Sequence, residues 1–189
     1  LTGRAPISRA AAGTTIAILA VLVLAADQLA KFWAIHNLPP EEPVHVIGDF
    51  LIFFLIRNSG AAFSLGAGVT WIFTIALTVV AAVIIVLALR IRSRAWAIVL
   101  GLLLGGVLGN LSDRLFREPG FGVGHVVDFI STPWMMPAIY NVADMFIVTM
   151  MISVAILIVI GLHLDGTRDR RAARSDDDED AEHPAVPKD

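Results

Sequence analysis

VTWIFTIALTVVAAVIIVLAL, residues 69–89, carries no ionisable side chain from end to end. The hydrocarbon core of a bilayer, about 30 Å thick, takes about 20 mostly apolar residues to cross as a helix, and this run is long enough. Outward from it, three further stretches approach the same length: 14–35, 95–111 and 142–164. Only the first is interrupted by charge well inside its limits, at Asp27 and Lys31. A composition of 57% hydrophobic against 16% charged residues, with mean hydropathy +0.77, excludes an ordinary soluble domain. The expected fold class is a mainly α membrane protein, a bundle of four transmembrane helices in a domain covering 14–164, with longer connections at 36–68 and 112–141.

Cations set the expected orientation. Arg4 and Arg9 precede the first span, Arg90, Arg92 and Arg94 fill the turn between the second and third, and Arg168, Arg170, Arg171 and Arg174 follow the fourth. With four spans these segments share one side, which the positive-inside rule makes cytoplasmic, so both termini are expected inside. Residues 1–13 then form a cytoplasmic N-terminus. Residues 165–189, which pass from a basic block to DDDEDAEHP with few apolar residues, form a charged, disordered cytoplasmic tail. Arg4 and Arg9 before the short core 16–26 also suit a cleavable signal peptide. Apolar character resuming through Leu29, Phe32, Trp33 and Ile35 favours a retained helix instead.

The chain has no cysteine, which rules out disulfides and thiol chemistry, and its five histidines lack metal-ligand spacing. No metal, cofactor or nucleic acid is expected. The polar residues converge in that topology: Asp27 and Lys31 late in the first span, Asn110, Asp113 and Arg114 at the end of the third, Asn141 and Asp144 at the start of the fourth, and Asp128 in the loop before it. All fall at the outer face. Charge near a membrane is costly and usually faces a partner, a bundle interior or a cavity.

Each group has a structural reading too. Asp27 and Lys31 stand at i and i+4 as a helical ion pair. Asn110, Asp113 and Arg114 suit a helix end whose side chains snorkel to the headgroups. Asn141 with Asp144 three residues later reads as an N-cap and first-turn acid. Gly101, Gly105 and Gly109, four residues apart, suit close helix packing.

Asp128 and Asp144 stand out as a pair. Asp128 lies among Val126, Val127, Phe129 and Ile130, where a lone carboxylate prefers its neutral form, and two acids brought together cannot both ionise cheaply. One charged and one protonated carboxyl can activate water and protonate a carbonyl oxygen, which points to amide hydrolysis. Two other classes compete: a small polytopic transporter, which needs ionisable groups through the membrane depth, and a non-catalytic membrane scaffold. Ser64 with His125 sits in no recognisable nucleophile setting. The stretch FLIFFLIRNSGAAF, residues 50–63, reads as a strand entering a tight turn, where Gly60, Ala61 and Ala62 permit close approach of a peptide backbone. Part of the loop 116–137, with Trp134 as an interfacial anchor, is expected to move as substrate enters.

DQLAK (27–31), NSGAAFSLG (58–66), GGVLGNLSDR (105–114), HVVDF (125–129) and YNVAD (140–144) resemble, in order and spacing, the signature segments of the lipoprotein signal peptidases, also called signal peptidase II. The resemblance runs from about residue 25 to the end of the fourth span, and five ordered motifs are highly specific. It implies a four-helix membrane bundle with a small extracytoplasmic β-rich cradle and an extracytoplasmic loop helix. The implied activity is aspartic endopeptidase cleavage of bacterial prolipoprotein signal peptides, just before a diacylglyceryl-modified cysteine. Asp128 and Asp144 become the catalytic dyad, while Asp27, Lys31, Asn58, Asn110, Arg114 and Asn141 match positions that support the site or contact substrate. The implied partners are diacylglyceryl-modified prolipoproteins, membrane lipid and globomycin-type peptide inhibitors, with the enzyme a monomer in the bacterial plasma membrane. The DQLAK match argues that the first span is retained. Tyr140 departs from the frequent Phe, and the acidic tail matches no family feature.

Overall fold

The structure, a computed structural model, describes residues 6–60 and 69–168. Ala61, Ala62, Ser64 and the charged tail beyond Arg168 lie outside the described residues. The elements run α1 (Arg9–Asn37), β1 (Pro43–Ile47), β2 (Leu51–Asn58), α2 (Thr70–Ala88), α3 (Arg94–Phe116), β3 (Val126–Thr132), β4 (Met136–Tyr140) and α4 (Val142–Val159). All four helices are long and apolar enough to cross a membrane. The protein is a multi-pass membrane protein, and the bulky side chains it leaves exposed, such as Ile75, Val79 and Val86 of α2 and Val148, Ile152 and Ile156 of α4, suit a lipid surface.

α3 is the hub. It packs against α1, α4 and α2, while α2 and α4 barely touch each other. Small residues on α3 make the packing close. A Cβ built on Gly105 would lie 2.6 Å from Val23 Cβ and 2.8 Å from the Ala20 carbonyl oxygen, and one on Gly101 would lie 3.0 Å from Ile16 Cα. The opposite seam takes Gly106, where a Cβ would lie 2.7 Å from the Ala143 carbonyl oxygen on α4. Without a hydrophobic driving force between helices in lipid, such backbone contact is what holds them together.

Helix limits differ from the apolar runs for local reasons. Ser8 caps α1 early, its hydroxyl accepting from Ala11 N–H at 3.1 Å. α3, expected to end near Leu111, continues to Phe116 because its polar last turns find buried partners. The helix expected through Leu164 stops at Val159: Gly161 adopts φ 67°, its N–H reaches the Ile158 carbonyl, and Leu162 N–H reaches the Leu157 carbonyl, closing a Schellman turn. At that end the N-terminal segment, the α2–α3 turn and the turn after α4 are tied together, through Ile7 N–H to Arg92 O at 2.9 Å and Trp96 Nε1 to Leu162 O at 2.8 Å.

The other end carries an antiparallel sheet in the order β1-β2-β3-β4. Part of the segment read as a mobile loop is thus the β3–β4 hairpin, and no extracytoplasmic loop helix occurs among the described residues. Leu55, Val127 and Phe129 of the sheet pack on Ala34 and Leu38 at the end of α1. Registers Ile56↔Asp128 and Ile130↔Tyr140 matter most, because β4 runs straight into α4 and so ties Asp128 to the first turn that holds Asp144.

Candidate active site

The expected capping pattern at Asn141 forms in full. The Asn141 side-chain oxygen accepts from Asp144 N–H at 3.0 Å, and Asn141 N–H donates to Asp144 Oδ2 at 3.1 Å. Asp27 from α1 takes a further free donor of that helix end, accepting from Ala143 N–H at 2.9 Å. The α4 N-terminus is therefore fixed by its own cap and by a second helix.

Three asparagine amides hold the two carboxylates. Asp128 Oδ2 accepts from Asn58 Nδ2 at 2.9 Å and its Oδ1 from Asn141 Nδ2 at 2.6 Å. Asp144 Oδ1 accepts from Asn110 Nδ2 at 2.7 Å. Each amide is oriented by its own oxygen. Asn58 Oδ1 accepts from Gly60 N–H at 3.0 Å, Asn141 Oδ1 from Asp144 N–H, and Asn110 Oδ1 from Lys31 Nζ at 3.0 Å and Asn141 Nδ2 at 3.1 Å. Every carboxylate oxygen so receives one N–H, leaving its other lone pair for water or a proton. Burial first, and the negative charge of Asp144 second, push the Asp128 carboxyl up to about 7. The pair can hold one proton near neutral pH.

Behind the asparagines lies a buried charge cluster. Lys31 Nζ is 2.8 Å from Asp27 Oδ2 and 2.8 Å from Asp113 Oδ2, with all three side chains closed to solvent. Asp113 also meets Arg117 Nε at 2.5 Å and accepts from Val127 N–H at 3.1 Å, pinning β3 to α3. Two acids thus face two bases, and that balance lets the cluster sit inside the bundle. Asn110, Asp113 and Arg114 do not snorkel as expected. All three are buried, and the partners they have are protein groups rather than headgroups; among the described residues only Arg114 Nε is left buried without one. Arg114 donates to the carbonyls of Ser59, Gly60 and Gly124 and lies 5.6 Å from the Phe73 ring centroid, so it braces the turn after β2.

The structure therefore gathers Asp27, Lys31, Asn58, Gly60, Asn110, Arg114, Asp128, Asn141 and Asp144 at one end of the bundle. Gln28 and Arg117 were missed. Gln28 Nε2 lies 3.1 Å from Asp27 Oδ2, the Gly109 carbonyl and Asp113 Oδ1, and its Oε1 accepts from Arg117 at 3.3 Å. The four-residue step from Asp113 to Arg117 was the available signal for the second. His125, at the mouth of β3, is held below its usual range by burial, then by Arg114 and Arg57. Among the described residues no group of three or more His, Cys, Asp or Glu could hold a metal ion.

Asp128 and Asp144 open into a cleft of about 370 Å³, with Asn58, Asn110 and Arg114 as polar lining and Phe73, Leu77, Ile139, Ile147 and Val148 as apolar lining. α2 and α4 contribute facing walls without packing on each other, so the cleft opens sideways toward the lipid surface.

Fold and site together define a polytopic membrane protein with a carboxylate pair in a bilayer-facing cleft, an arrangement suited to acid–base hydrolysis. The family described as Signal peptidase (SPase) II matches residues 19–161. The chain is 50% identical over 155 residues to the lipoprotein signal peptidase of Leifsonia xyli subsp. xyli, covering 82% of this chain and 71% of that one. It is 47% identical over 151 residues to that of Rhodococcus jostii, covering 80% and 75%, and 46% identical over 154 residues to that of Mycobacterium tuberculosis, covering 82% and 75%. A bacterial membrane enzyme structure solved by the in meso method at 2.3 Å superposes with TM-score 0.69 at 28% identity, covering 78% of this chain and 88% of that one. The chain belongs to the signal peptidase II family, a family of membrane aspartic peptidases.

Proposed function

We propose that this peptidase removes signal peptides from diacylglyceryl-modified bacterial prolipoproteins, cleaving just before the lipidated cysteine, with Asp128 and Asp144 as the catalytic dyad. The observation that carries the reading is the pair of carboxylates held by Asn58, Asn110 and Asn141 in a laterally open cleft. The acyl chains of the substrate stay in the bilayer while its scissile amide enters between α2 and α4. The charged carboxylate takes a proton from water, and the water oxygen attacks the carbonyl carbon. The protonated carboxyl donates to the carbonyl oxygen as it gains charge. Collapse of the tetrahedral adduct breaks the C–N bond: the amine leaves with the proton first drawn from water, and a hydroxyl of the adduct returns a proton to the second carboxylate as the C=O bond re-forms, which restores the dyad. Asn58, Asn110 and Asn141 hold the carboxylates in place, Asp27 and Lys31 hold Asn110 and α4, and Arg114 fixes the Gly60 turn against which the peptide backbone lies.

The distribution of cations supports a plasma-membrane orientation with both termini cytoplasmic and the dyad at the outer face. The enzyme acts as a monomer, and a globomycin-type peptide inhibitor would occupy the same cleft. The test presents purified enzyme with one precursor in diacylglyceryl-modified and unmodified forms and weighs the products. Release of the signal peptide just before the modified cysteine, with little cleavage of the unmodified form, is expected. Equal cleavage of both, or of neither, would refute the substrate assignment.

A further inference from the structure

A second lipid-facing feature shares no residue with the catalytic cleft. On the side of the bundle formed by α1 and the end of α3 lies a groove of about 680 Å³, floored by Ala25, Leu29 and Phe32 and rimmed by His36, Arg57 and Arg117. A neighbouring groove of about 450 Å³ runs past Leu24 and Phe116 and shares Gln28 and Arg117 with the first. The two grooves meet at one guanidinium, the second with Gln28, Ser112 and Asp113 beside its apolar Leu24 and Phe116.

The rim is positive. Arg57 is exposed on β2, and its side chain makes no hydrogen bond or ion pair among the described residues, so its charge is available. Arg117 spends Nε on Asp113 and lends Nη2 to Gln28 at 3.3 Å, which leaves Nη1. His36 engages the Phe32 carbonyl through Nδ1 at 2.7 Å, leaving its other ring nitrogen outward. Asp113 is the acid at this rim and pairs with both Lys31 and Arg117, within a cluster that Asp27 already balances, so the charge in excess at the rim is that of Arg57. Ala25 and His36 are separated by about 16 Å along α1, at 1.5 Å per residue. That is about half of a 30 Å hydrocarbon core, the depth of one leaflet.

We propose that this surface binds an anionic glycerophospholipid, its phosphate between Arg57 and Arg117 and its two acyl chains in the two grooves. Charge complementarity selects the occupant: a neutral chain fits the troughs but leaves Arg57 without a counter-charge at the bilayer surface. The site needs only the membrane placement of the bundle and does not rest on the peptidase assignment.

Binding of phosphatidylglycerol and of phosphatidylcholine to the full chain in neutral detergent, followed by native mass spectrometry across a titration, tests the proposal. Wild type is expected to bind phosphatidylglycerol at least about fivefold more tightly, the worth of one cation near an anionic headgroup. Arg57→Gln should erase that preference by weakening phosphatidylglycerol more than phosphatidylcholine, whose phosphate already has its own choline cation, and Ala25→Phe, which fills the trough, should weaken both lipids. Asp128→Asn should alter neither. Equal affinity of wild type for the two lipids overturns the proposal, as does an unchanged preference in Arg57→Gln. Loss of binding in Asp128→Asn would place the lipid in the catalytic cleft, and full competition by soluble glycerol phosphate would reduce the site to a headgroup contact; either result refutes it.

Discussion

Replacing Lys31 by Met keeps most of the side-chain length and removes the charge at the centre of the buried cluster. Lys31 spends all three ammonium protons, on Asp27 Oδ2 at 2.8 Å, Asp113 Oδ2 at 2.8 Å and Asn110 Oδ1 at 3.0 Å. The two acids do not suffer equally. Asp113 keeps Arg117 at 2.5 Å, whereas Asp27 is left with only neutral donors, Ala143 N–H and Gln28 Nε2. The variant therefore strands one buried carboxylate, which costs about 3–5 kcal/mol. Adding Asp27→Asn removes the stranded charge and should recover about half of that loss or more, because the two residues are in direct contact. Tryptophan fluorescence during unfolding in mixed micelles reads both values, and peptidase activity should fall as Asn110 loses the partner that orients it toward Asp144. A loss below about 1 kcal/mol for Lys31→Met, or a double variant no more stable than the single one, would refute this account of the cluster.

Gly105→Ala should destabilise by about 1–3 kcal/mol, since its Cβ would meet Val23 at 2.6 Å and the Ala20 backbone at 2.8 Å, whereas Gly13→Ala, with nothing within 4 Å, should be neutral or slightly stabilising; thermal unfolding of both compares them directly. Asn58→Ala removes a donor that favours charged Asp128, so the alkaline limb of the rate profile should move to higher pH; a shift to lower pH contradicts the assigned hydrogen bond. Asp128 ionises at about 7 when folded against 3.8 as a free side chain, so within that window the native protein holds a proton that the unfolded chain has lost. Its stabilisation is complete below the window and is lost as pH rises through it, on the order of 4 kcal/mol in all. Unfolding measured across that range should show wild-type stability falling and a shallower slope for Asp128→Asn.

The apolar runs foretold four helices because a span needs only length and hydropathy. The Asn141–Asp144 cap was equally legible, being a local pattern. The end of α3 was not. Asn110, Asp113 and Arg114 look like residues leaving lipid, and only their partners on α1, β3 and the turn after β2 make burial tolerable. Gln28 and Arg117 escaped for the same reason, since three of the partners of Gln28, two acceptors for its Nε2 and one donor to its Oε1, come from residues more than eighty positions away. Gly106 was overlooked because the four-residue glycine spacing points at the α1 seam, while Gly106 serves α4. The β3–β4 hairpin lay hidden in a connection rich in glycine and proline, and its central acid, Asp128, is atypical of a buried strand.

The dyad is tested most directly by single-turnover cleavage of a diacylglyceryl-modified prolipoprotein by wild type, Asp128→Asn and Asp144→Asn, each first confirmed as folded by its unfolding transition. Both variants are predicted to insert and fold yet release no more than about one thousandth of the wild-type rate, in keeping with loss of a positioned acid or base. Near-normal cleavage by either variant would contradict the claim that these two carboxylates share the chemistry.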